Sequence, residues 1–91
     1  MLVLQLFTTA DGQYLTNDWV ILYYNHTLSS NAITTLPAKT LVTIICMVTD
    51  VADAVNGDPY WLNVTVSGYT GWVPDYYVDC GGICTAGCCD C

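Results

Sequence analysis

The sequence predicts an all-β domain, a small barrel or sandwich of short antiparallel strands. Three observations lead there. No stretch holds the helical period of about 3.6 residues over a useful length. Short runs of β-branched and aromatic residues alternate with turn residues. The chain has 91 residues, enough for one domain and too few for a large core, and it carries six cysteines that can staple such a domain.

A first strand is expected at Leu2–Thr8, followed by a turn at Ala10-Asp11-Gly12, where the Asp-Gly pair suits a hairpin. Residues 14–24 form a second β run, open to a break at Asn17-Asp18. Polar residues 25–31 read as a loop, and Leu36-Pro37-Ala38-Lys39 as a turn. Residues 40–49, rich in Val, Ile and Thr, give the strongest strand signal. Asn56-Gly57-Asp58-Pro59 is a turn, residues 60–66 a strand, Ser67-Gly68 a turn and residues 69–73 a strand. Pro74-Asp75-Tyr76 suits a short 3₁₀ turn before a last strand at residues 77–79. Cysteines and glycines dominate from Cys80 onward.

If Val64 points inward, alternation places Tyr60, Leu62 and Val66 inward and Trp61, Asn63 and Thr65 outward. Gly71 permits a close strand approach or a bulge beside Trp72, which is expected in the core, with a groove wall as the alternative.

Composition excludes several partners. There are eight aspartates, one lysine (Lys39), no arginine and no glutamate, for a net charge of −7. Phosphate contacts need Lys and Arg, so nucleic acid and anionic membrane surfaces are disfavoured. The run Met1–Phe7 lacks a basic flank and is too short to span a bilayer, so neither a targeting segment nor membrane insertion is expected. Charged residues make up 10% of the chain, against about 25% in ordinary domains, so the surface is weakly protected against association. Trypsin-like proteases would find almost no sites.

The run Tyr69-Thr70-Gly71-Trp72-Val73-Pro74-Asp75-Tyr76-Tyr77-Val78 resembles the closing motif of bacterial SH3-like (SH3b) domains. Trp61-Leu62-Asn63-Val64 resembles the family's W-x-x-V strand, and residues 35–44 its T-L-P-x-G-T-x-V-T-V segment. The three stand in the family's order and cover about residues 20–80. The resemblance implies a small SH3-like barrel at 20–79, with an N-terminal extension and extra strand at 1–19 and a disulfide-rich tail at 80–91. Two departures stand out. Residues 21–26 lack the Arg, Gly and Pro of the family's N-V-R-S-G-P loop, and Lys39 stands where the family favours Gly.

Cys46, Cys80, Cys84, Cys88, Cys89 and Cys91 are expected to form disulfides rather than a metal centre, which places the chain outside the cell. Cys46 lies alone in a strand, so a tail cysteine must fold back to it if all pair within one chain; otherwise the bonds join subunits. Asn25 and Asn63 head N-x-[ST] sequons and are candidate glycan acceptors. Asp50, Asp53, Asn56 and Asp58 cluster but lack the spacing of a calcium loop, and read as a solvated acidic loop. His26, the single histidine, shows no local partner for catalysis. No catalytic residue, metal or cofactor is expected. The aromatics are too numerous for the core alone, and Tyr23, Tyr24, Trp61, Tyr69 and Tyr76 are the candidate binding surface.

Two functions follow. The first is an extracellular structural module that assembles with copies of itself into a fibre or surface polymer, with Leu2–Thr8 as the assembly strand. The alternative, implied by the resemblance, is a secreted module that binds cell-wall peptide or glycan.

Overall fold

The computed structural model of the chain describes residues 12–80 together with Asp90 and Cys91. The strand expected at Leu2–Thr8 lies outside the described residues. Seven strands form one antiparallel sheet: β1 (Gln13–Thr16), β2 (Val20–Tyr23), β3 (Ala32–Leu36), β4 (Leu41–Thr49), β5 (Tyr60–Val66), β6 (Tyr69–Pro74) and β7 (Val78–Asp79). Their order is β3-β2-β6-β5-β4-β1-β7. Short 3₁₀ turns cover Val51–Asp53 and Asp75–Tyr77.

The sheet rolls up, as the SH3-like reading requires. Leu36 on one edge strand and Val78 on the other share a buried cluster with Val20, Leu22, Val42, Ile44, Leu62, Val64, Val66 and Val73. In a flat sheet, strands spaced about 4.8 Å apart would hold those two edges roughly 29 Å apart. Alternation supplies the cluster: Leu62, Val64 and Val66 of β5 point to one side, opposite Val73 and Gly71 of β6.

Local chemistry sets the turns. Ser67 (φ 47°) and Gly68 (φ 84°) both take left-handed backbone, the conformation that lets a two-residue hairpin follow the sheet's twist. The β1–β2 run breaks at residues 17–19, where the Asn17 amide donates to the Tyr77 carbonyl (2.9 Å) and the Trp19 amide donates to Asp18 Oδ1 (2.8 Å). Lys39, in place of the family's Gly, is itself left-handed (φ 69°), and its amide donates to the Thr16 carbonyl (2.8 Å). The fully buried Thr16 hydroxyl donates to the Pro37 carbonyl (2.9 Å) and accepts from the Thr40 amide (3.0 Å).

Strand β3 was not expected. Its threonines and the polar run before it hide the period, but the Tyr24 amide donates to the Asn31 carbonyl (3.0 Å) and turns the chain straight back along β2.

The C-terminal residues return to the sheet. β1 pairs with β4 only at Leu41–Thr43, and the β4–β5 register shifts between Ile44 and Cys46. Past that point Asp90 bridges Met47 in parallel, the Cys91 amide donates to the Met47 carbonyl (3.2 Å), and Cys91 is disulfide-bonded to Cys46. A tail cysteine therefore does fold back to Cys46. Cys80 is disulfide-bonded as well; Cys84, Cys88 and Cys89 lie outside the described residues.

Two outcomes are expected from this packing. A Cβ on Gly71 would lie 2.7 Å from the Tyr23 carbonyl oxygen and 2.9 Å from Leu22 Cγ. Gly71→Ala should therefore destabilise the fold by roughly 1–3 kcal/mol in denaturant unfolding. Replacing Cys46 and Cys91 together by Ser should lower the unfolding free energy by roughly 2–4 kcal/mol, with far-ultraviolet circular dichroism preserved at low temperature.

Candidate functional site

The sheet has a second face, opposite the core. Register places Tyr23, Trp72 and Asn63 side by side across β2, β6 and β5, and aligns Trp61 with Pro74 and Val48. Trp61 was expected to point outward and offer binding surface. It does lie on this far face, but it is fully buried. The Val51–Asp53 turn covers it, and its indole N–H donates to the Asp53 carbonyl (2.9 Å). Tyr23, also expected on the surface, is 9% exposed and meets Trp61 edge-on with ring centroids 5.6 Å apart. Trp72, expected in the core, is half-buried on this far face.

Two segments distant in sequence are tied together above these rings. His26 Nδ1 lies 2.8 Å from Asp50 Oδ2, and its ring packs edge-on against Trp72 at 4.9 Å. Asp53 Oδ1 accepts from the Thr27 hydroxyl (2.7 Å) and the Leu28 amide (3.2 Å). The acidic cluster is thus partly a latch that holds the 25–31 loop, and His26 has a partner that lies 24 residues away in sequence. Asp58 instead accepts from the Tyr60 amide (2.9 Å). Among the described residues, no three His, Cys, Asp or Glu side chains gather as a metal site.

The latch shapes one wall of a pocket. Leu28 stands with Trp19, Val20, Ile21, Tyr23, Pro74 and Tyr77 around an opening of about 160 Å³. β2 supplies its floor, the strand break supplies Trp19, and the closing 3₁₀ turn supplies Tyr77 behind Pro74. Trp19 and Leu28 are exposed at 63% and 51%. Burial pushes the Tyr23 phenol above its usual pKa, and the neighbouring Tyr77 adds to the rise.

Of the expected surface aromatics, Tyr24, Tyr69 and Tyr76 are exposed but do not line this pocket. Sequence reasoning missed Trp19 and Tyr77 as a pair, because they meet only when the barrel closes. The signal available was a tryptophan in a strand break and a Pro-x-x-Tyr step in the closing motif. Asn25 is exposed. Asn63 is half-buried, and its Nδ2, the atom a glycan would occupy, donates to the Gly71 carbonyl (3.1 Å).

A strongly curled antiparallel sheet with an open aromatic pocket beside its closing 3₁₀ turn is an SH3-like module. Residues 16–79 match the family model of the bacterial SH3 domain, and the chain belongs to that family. No curated protein matches it, and no solved structure does. A disulfide in a bacterial SH3 domain points to a place at the cell surface or otherwise outside the cytoplasm.

Asp53→Ala should cost about 1–3 kcal/mol and speed hydrogen exchange at the Leu28 amide far more than at the Tyr24 amide. Spectrophotometric titration should find Tyr23 ionising above the ordinary tyrosine range. Its raised folded-state pKa gives stability that is complete below about pH 10, the usual tyrosine value, and is lost as pH rises through the folded value. Tyr23→Phe should flatten that alkaline loss.

Proposed function

We propose that the protein is a non-catalytic binding module for bacterial cell-wall material, peptide or glycan, working outside the cytoplasm. The observation that carries this reading is the open aromatic pocket between Trp19, Leu28 and Tyr77. Large exposed apolar side chains around a concavity favour a binding role over a merely solvated surface. Cell-wall material is the ligand the family suggests, because bacterial SH3 domains are commonly wall-binding. Within the stretch that departs from the family's loop, Ile21 and Tyr23 line the pocket.

Self-assembly into a fibre or surface polymer loses ground. The bond between Cys46 and Cys91 is within one chain, so these two cysteines do not join subunits. Nothing in the family match supports polymer formation.

The full chain should co-sediment with purified, protein-free cell-wall sacculi and should run as a monomer in light scattering. Trp19→Ala removes an exposed ring and should leave the fold intact while weakening wall binding by about 2 kcal/mol, near thirtyfold. Absence of co-sedimentation at both low and physiological salt would overturn the reading.

A further inference from the structure

We infer that the pocket takes one cationic side chain of a peptide, an ammonium group on an aliphatic stem, rather than a sugar. This rests on the binding-module reading and names its ligand class. Size comes first. The pocket holds about 160 Å³. A cavity of about 150 Å³ accommodates one benzene ring, whereas sites for larger ligands begin near 300 Å³. A single side chain fills the space, and an oligosaccharide does not enter it.

The lining gives the second argument. Val20, Ile21, Leu28 and Pro74 offer only hydrocarbon, and the polar side-chain atoms among the lining residues are the two phenols and the Trp19 indole N–H. A sugar ring would bring more hydroxyls than these groups can satisfy, and burying them unpaired is costly. An aliphatic stem lies well against the same hydrocarbon, with its charged end left near water.

Charge gives the third. Asp18 is exposed beside Trp19 and accepts that residue's amide N–H (2.8 Å). The Asp53 carboxylate accepts the amide of Leu28, a lining residue (3.2 Å). Neither lysine nor arginine lines the pocket. Lys39 is the single lysine of the chain, and His26 is already paired with Asp50. An incoming cation meets a chain of net charge −7, with Asp18 next to Trp19 in sequence, and an aromatic lining of Trp19, Tyr23 and Tyr77, rings of a kind that attract cations through their quadrupoles. An acidic side chain meets like charge.

The test uses the full chain and capped peptides, so that the side chain carries the only charge. Acetyl-Gly-Lys-Gly-amide is compared with its Nε-acetyl-lysine and glutamate counterparts and with N-acetylglucosamine, by chemical-shift titration. The lysine peptide should move the Trp19 and Tyr77 resonances. Acetylating the amine should weaken binding about tenfold, and the glutamate peptide and the sugar should leave those resonances in place. Asp18→Asn should weaken the lysine peptide several-fold, and added salt should do the same. Equal binding of lysine and acetyl-lysine peptides, or pocket shifts with the sugar, would overturn the inference. If sacculi bind but the lysine peptide does not, the inference fails and the wall-binding reading stands. If neither binds, both fail.

Discussion

Asp53 holds the far side of this barrel together. Its carbonyl takes the Trp61 indole N–H, and its carboxylate takes the Thr27 hydroxyl and the Leu28 amide. One short 3₁₀ turn thus covers the largest buried side chain and anchors the loop that carries a pocket wall. A buried indole N–H without a partner would cost the full penalty of its desolvation. Once that bond is made, the face opposite the core becomes a second, smaller apolar layer. The same residue, through its carboxylate, ties down Thr27 and Leu28 of the 25–31 loop.

Tyr23 links that layer to the outside. It packs against Trp61 and also lines the pocket, so the ring that stiffens the sheet is the ring a ligand would meet. Its burial keeps the phenol protonated to higher pH than an ordinary tyrosine. A site built on strand β2 and the closing 3₁₀ turn is more rigid than one built on loops alone. Leu28 is the exception, and the latch compensates for it.

Strands β4, β5 and β6 were legible because period-two alternation and Asn-Gly or Ser-Gly turns agree with one another there. Strand β3 was not, since its threonines carry no alternation and its pairing depends on how the preceding loop closes. Trp61 was misplaced for a definite reason: alternation sorts residues to two faces but does not say whether the second face is covered. His26 showed no local partner because Asp50 lies 24 residues on, past strands β3 and β4. The pocket needs residues from a strand break, a loop and a terminal turn, and no local pattern joins those three. The closing motif was the exception, since its Gly-Trp-Val-Pro step carries both the core valine and the pocket proline. That same step includes Gly71, whose missing side chain lets β2 cross close to β6.

The bond between Cys46 and Cys91 spans a sequence separation of 45 and makes that stretch a covalent ring. The ring contains β5, β6 and β7 and the exposed hairpin at Asn56-Gly57. A single backbone nick within it, from an extracellular peptidase for example, leaves both fragments joined and both halves of the core tethered at high effective concentration. The module therefore survives as one molecule after a cut that would separate an unbridged barrel into pieces, and only a second cut or reduction of the bond sets a fragment free.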